Sequence, residues 1–234
     1  MSRGRDIHAK AEQAREGKQD FLESLKLTDE ATVVYSEEGD MHGMSEVQGT
    51  RFHAFRHLFE STNNPMYLIL ALHASLSAVE IAEKSGIKEA LAIPYRDLGK
   101  AYEDLENYQN AVELYQKSLD AMAANPPSMH DRPAVRSDIK AHLAFAKYMA
   151  GDKQEALSLM QEAISELESN TDEYKNNRDV WLSGAHMRSA EMLANDDPDK
   201  AKAHLQKAKE VIGTNKDLVL RKNQLEALIS KLAS

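Results

Sequence analysis

The chain has 234 residues and a formal net charge of −9, from 38 acidic against 29 basic side chains. That balance argues against bulk attraction to nucleic acid or to an anionic membrane surface, which need clustered Lys and Arg. No cysteine is present, which excludes disulfides, thiolate metal ligands and thiol nucleophiles, while scarce Gly and Pro favour helix throughout.

The opening segment MSRGRDIHAKAEQAREGKQD has no apolar core of the secretory kind. No stretch is read as approaching the roughly 18 apolar residues of a membrane span. A cytoplasmic location without a membrane partner is therefore expected. Helical periodicity predicts helices near 5–16 and 20–37, an N-terminal hairpin (1–43) inferred from pattern alone. The acidic run YSEEGDMHG (35–43) lacks the oxygen-ligand spacing of a calcium loop and reads as a turn between hairpins.

Helices near 44–61 and 65–84 follow, with Asn64-Pro65 as a start signal and Gly86 as a stop. His53 and His57 stand four apart, with Glu60 three further on, a spacing that could set metal ligands on one helix face. A metal protein or enzyme using this face is one alternative. The chain has no HExxH order and no obvious fourth ligand, so neither metal nor cofactor is expected.

Helices near 88–104 and 108–124 are joined at Glu106-Asn107, and AANPPSMHDRPAV (123–135) reads as an insertion. Beyond it, helices are predicted near 134–149 and 153–168, the latter opened by an Asp152/Glu155 capping box. A second extension, 167–179, leads to a helix near 177–194, where Trp181, the sole tryptophan, is expected to be buried between hairpins. Asp197-Pro198 starts a helix near 198–212, with Gly213 as its stop. The last helix, near 216–232, sets Leu218, Leu225, Leu228, Ile229 and Leu232 against Arg221, Lys222, Asn223, Glu226 and Ser230, and reads as a solvating cap (214–234).

Four ladders of small or apolar residues share a +4, +3, +4 spacing: Ala71-Ser75-Ala78-Ala82, Ala111-Tyr115-Ser118-Met122, Ala156-Met160-Ala163-Leu167 and Ala201-Leu205-Ala208-Ile212. Their leading alanines are 40, 45 and 45 residues apart, a helical-hairpin period. Small residues at helix crossings let two helices approach closely, and large ones fill the gaps.

Within 92–122, Tyr95, Leu98-Gly99, Tyr102, Ala111, Tyr115 and Ser118 resemble the tetratricopeptide (TPR) pattern, Ser118 replacing the favoured Ala. The next repeat keeps Leu143, Ala144, Gly151-Asp152, Ala156 and Ala163, but has Lys140 and Lys147 where aromatics would stand. The one after keeps Ala201 and Ala208, with Arg188-Ser189 in place of Leu-Gly. The resemblance covers about 50–212 and implies an all-α, right-handed superhelical solenoid of about five antiparallel hairpins, with the array at 44–213.

The same resemblance implies a protein-protein interaction module rather than an enzyme, with the first helix of each pair lining a concave groove. By register that groove presents Arg56, Arg96, Lys100, His142, Phe145 and His186, beside His53, His57, Ile93, Asp97, Asp138 and Ser183. An acidic peptide or helical segment is the expected partner, because Arg and Lys suit carboxylates. A peptide-sensing regulatory domain is an alternative. A carboxylate clamp known in one TPR subclass is not matched, since its Asn positions hold Asp97 or His142. No GxxxxGK[ST], GxGxxG or GxSxG segment occurs.

Overall fold

In the computed structural model, which describes residues 2–127 and 130–233, eleven α-helices and no strand occur among the described residues. They are α1 (Arg3–Glu12), α2 (Phe21–Glu38), α3 (Met41–Thr62), α4 (Met66–Ser85), α5 (Ala92–Asp104), α6 (Tyr108–Ala124), α7 (Pro133–Met149), α8 (Lys153–Ser169), α9 (Lys175–Leu193), α10 (Pro198–Gly213) and α11 (Val219–Leu232). The first expected helix ends in a π-helical turn, Gln13–Gly17. The fifth is broken after a short 3-10 turn, Lys88–Ala90, because Pro94 has no N–H to give to the carbonyl of Ala90.

Most boundaries follow capping chemistry. Asp20, Asp40, Asn107 and Asp197 each accept a backbone N–H three residues on, which satisfies one of the donors orphaned at a helix start. Gly39 and Gly86 end α2 and α4 in the left-handed region, with φ of 67° and 71°. Two expected signals fail. Asp152 precedes α8 but makes no capping bond; Lys147 Nζ lies 3.6 Å from its carboxylate and 2.6 Å from Glu155, so the lysine engages both halves of the capping box. Gly213 stays inside α10, and Thr214 ends the helix in right-handed geometry.

The helices pair as α1/α2, α3/α4 and α5/α6 in one compact unit, Met1–Pro127. In the second, Ser128–Ser234, they pair as α7/α8 and α9/α10, with α11 against α9 and α10. The division falls within the Pro-rich stretch read as an insertion. Fifteen of the sixteen ladder positions are buried, Leu205 being the partly exposed one. Ser118 shows why a hydroxyl is tolerated at a crossing, since its Oγ donates to the Ala92 carbonyl at 2.6 Å. Where aromatics give way to lysine, Lys140 reaches Glu162 and Glu166 of α8 at 2.6 Å each, so an ion pair closes that hairpin.

Helix α4 corrects one expectation. By length and composition alone it is apolar enough to cross a membrane. Leu68, Ala71, Ala74, Ser75, Ala78, Val79 and Ala82 are nevertheless buried in the first unit, and Met66, Ile69, Leu70 and Leu76 form its exposed stripe.

Candidate functional site

The first helices of successive hairpins touch each other within each unit: α1 with α3 and α3 with α5, then α7 with α9 and α9 with α11. Alongside apolar contacts, these seams carry polar networks. On α3, Gly49 and His53 are one turn apart and meet Asp97 of α5. A methyl at Gly49 would lie 3.4 Å from the Asp97 carboxylate, and His53 Nε2 is 3.6 Å from it. Arg96 closes on the same carboxylate with Nε at 2.9 Å and Nη2 at 2.8 Å. Burial opposes charge on Asp97, which is 2% exposed, but Arg96, His53 and Lys100 outweigh it and hold the pKa well below the carboxylate range. Burial pushes His53 down to about 3 against the pull of Asp97, so the pair is a neutral imidazole beside a carboxylate.

Further along the seam, Arg56 grips Asp104 through both Nε and Nη2, the latter at 2.9 Å, and lies 5.6 Å over the Phe52 ring. Between α1 and α3, His8 Nε2 and Thr50 Oγ1 are 2.8 Å apart, and the Tyr35 hydroxyl meets His8 Nδ1 at 3.3 Å. Tyr35 fits there because Gly4 and Gly43 leave room for its ring, which is 0% exposed.

The second unit repeats the device. Asp138 on α7, 4% exposed, takes Arg188 Nη2 of α9 at 3.2 Å and lies 3.8 Å from His142 one turn on. Phe145, on the same stripe of α7, is 6% exposed. From α11, Arg221 extends to Gly184 of α9 and also donates to Gln224 at 2.8 Å. Near the start of α9, Arg132 lies 5.6 Å over Trp181 and donates to the buried Glu173 at 2.7 Å.

The expected residues separate in the structure. Arg56, Arg96 and Lys100 lie along the α3–α5 seam of the first unit, with Arg56 and Arg96 held by carboxylates of the same face. That offsets the positive face read from sequence, which missed Asp104 as a partner. His142 belongs to the Asp138–Arg188 network. His186 does not join it: the ring is 2% exposed and its Nδ1 faces His204 Nδ1 of α10 at 3.0 Å, inside its own hairpin. Register assigned it to the first-helix face because α9 is buried on more than one side. His53 and His57 diverge, His57 stacking on Phe21 and meeting Glu60 at 3.1 Å. Trp181 is only partly buried. Arg188 and Arg221 were missed; Arg188 was read as a departure from Leu-Gly and Arg221 as solvating, and the α7–α9–α11 contacts bring them together.

Over 97% of its length the chain superposes on a kinesin light chain from Podosopora anserina described as having nearly identical TPR-like repeats, covering 95% of that chain at TM-score 0.56 and 18% identity. A point-substituted form of the same protein matches over 97% of this chain and 94% of that one, at TM-score 0.57 and 18% identity. BtubC from P. vanneervenii matches over 89% of this chain and 82% of its own, at TM-score 0.64 and 17% identity. The fold is TPR-like. No protein-family model matches the sequence, and no curated protein does. In TPR-like terms, α3 and α5 are first helices of adjacent repeats, α7 and α9 likewise, and both seams carry a buried Asp held by an Arg.

Proposed function

We propose that the chain is a scaffold that binds a segment of another protein on the faces of its first helices, rather than an enzyme. One observation carries this reading: in both units a buried carboxylate, Asp97 or Asp138, fixes an arginine that is only 15% or 13% exposed at its side chain. An apolar seam would join two first helices without the desolvation cost of burying a carboxylate. What the carboxylate adds is orientation, because a guanidinium gripped by a buried carboxylate is held in one direction on the face rather than moving freely. Lys100, one turn after Arg96 on α5, would add charge to the first of these faces.

The test is site-specific photo-crosslinking with the full chain in a lysate of the native host. A photoreactive residue at Lys100 or Gln224, on first helices, is expected to give discrete protein adducts, competed away by excess unmodified chain. The same residue at Lys117 or Lys202, on second helices, is expected to give none. Adducts only from positions 117 and 202, or none that the unmodified chain competes, would refute the proposal.

A further inference from the structure

The outer face of α4 differs from those of other second helices. From Ser61 to Val79 the chain carries no Asp, Glu, Lys or Arg. Met66, Ile69, Leu70 and Leu76 are between 38% and 57% exposed, and with the exposed His73 and Ser77 they recur at helical spacing along one stripe. On α6 the exposed face carries Glu113, Lys117 and Asp120 instead, and on α10 it carries Lys202, Lys207 and Lys209. The opposite face of α4 already supplies the core, where Ala71 and Ala74 pack with Phe52, Phe55 and Leu58 of α3. The stripe is therefore not spent on closing the hairpin, and contiguous apolar surface of this kind marks a place of interaction.

We propose that this stripe is the docking face for a basic amphipathic helix of a partner protein, separate from the first-helix faces considered above. Charge selects the occupant. The first unit, Met1–Pro127, holds 21 acidic against 13 basic side chains, so it carries nearly all of the net charge of −9. Glu80 and Glu83 stand exposed near the C-terminal end of α4, where the helix dipole is negative as well. Lys84 pairs with Glu80 at 2.6 Å and Tyr95 donates to Glu83 at 2.9 Å, which leaves that end net negative. A docked helix with apolar residues at the matching i, i+3, i+4 and i+7 spacing would meet this end with a Lys or Arg one turn beyond them. A second copy fits less well on two counts. Two such acidic units repel each other. At roughly 60–120 Å² of apolar area for a whole side chain of this size, the four partly exposed ones offer about 100–200 Å², against about 800 Å² from each partner in a stable dimer. The same negative charge opposes an anionic lipid surface.

The experiment uses the full chain and a fluorescein-labelled peptide, Lys-Leu-Lys-Gln-Leu-Leu-Lys-Gln-Leu-Lys-Gln-Leu-Leu-Lys, read by fluorescence anisotropy. Its leucines repeat the spacing of the stripe. One control peptide permutes the same residues so that no apolar face forms, and another has Glu in place of every Lys. Ile69→Ser with Leu76→Ser is expected to weaken binding at least tenfold, the loss of two central anchors. Both side chains are partly exposed, so the urea midpoint should hold; Met66→Ser, at the most exposed position of the stripe, provides a second variant should it fall. Leu157→Ser, equally exposed on α8, should stay within about twofold of wild type. Glu80→Gln with Glu83→Gln should weaken binding and flatten its dependence on salt. Failure of the wild-type chain to bind, equal binding of the permuted peptide, or undiminished binding by the serine variants overturns the docking face. Equal binding of the Glu peptide overturns the basic partner. Sedimentation equilibrium of the chain alone should show a monomer, and a dimer that the serine variants dissolve would give the stripe to a second copy and overturn the proposal. Flotation with phosphatidylcholine vesicles that the same variants abolish would overturn it in favour of lipid.

Discussion

Gly43→Ala and Gly49→Ala make the same chemical change in the same helix, α3, and should have opposite effects on stability. In each case the fold gains up to about 1 kcal/mol because Ala is the better helix former. At Gly49 the new methyl meets the Asp97 carboxylate at 3.4 Å, an ordinary contact, so the gain survives. At Gly43 it would fall 2.6 Å from Tyr35 Cδ1 and nearer still to its neighbour in the ring. Tyr35 is fully buried and is also hemmed in by Gly4, so its ring has no free direction in which to retreat. Displacing it forfeits about 1.5–3 kcal/mol of aromatic burial and about 1 kcal/mol for the hydrogen bond to His8. After the helix gain, a net destabilisation of about 1–3 kcal/mol remains, within the usual range for overpacking. Urea unfolding followed by far-ultraviolet circular dichroism measures both variants. Equal shifts of the same sign would refute the reasoning, because the close approach of Tyr35 would then have no energetic consequence.

Asp97→Asn leaves Arg96 without its buried counter-charge and should cost about 3–5 kcal/mol, read from the same unfolding curves; a neutral result would mean that the seam is not an ion-pair network. Burial, with His204 and Lys207, lowers His186 to about 4, and burial lowers His204. The unfolded chain therefore takes up more protons below about pH 6.5, and the stability that these neutral rings contribute is whole above that pH and lost as it falls toward 4. The urea midpoint should drop from pH 7 to pH 5, and His204→Gln should flatten that drop; a slope unaltered by the substitution would assign the acid sensitivity elsewhere. Deleting 214–234 removes Leu218 and Leu225 from their cluster with Met187, Ala208 and Ile212, so aggregation or a lowered melting temperature is expected, and an unchanged monomer would show that α11 does not cap. Ala111→Leu, at a position 0% exposed, should destabilise by about 1–3 kcal/mol while Lys117→Leu is tolerated; equal tolerance would place the crossing elsewhere.

Sequence alone determined the helices and their pairing. Short-range physics sets them, through Asp and Asn caps, left-handed glycines and the 3.6-residue period of the four ladders, all readable within one or two turns of chain. The same locality made the TPR resemblance legible, because Ala111, Tyr115 and Gly99 specify how one hairpin closes. Tertiary structure decided the charge of the first-helix faces. Arg56 and Asp104 are 48 residues apart, and Arg188 and Asp138 are 50 apart, so no local pattern announces which cation meets which carboxylate. Register placed His186 on the wrong side because α9 is packed by α7, α10 and α11, and a helix buried on several sides has no single polar face to read. Arg221 looked like a solvating residue for a related reason: its side chain reaches α9 beside Gly184, 37 residues earlier, a tertiary contact that no local pattern announces.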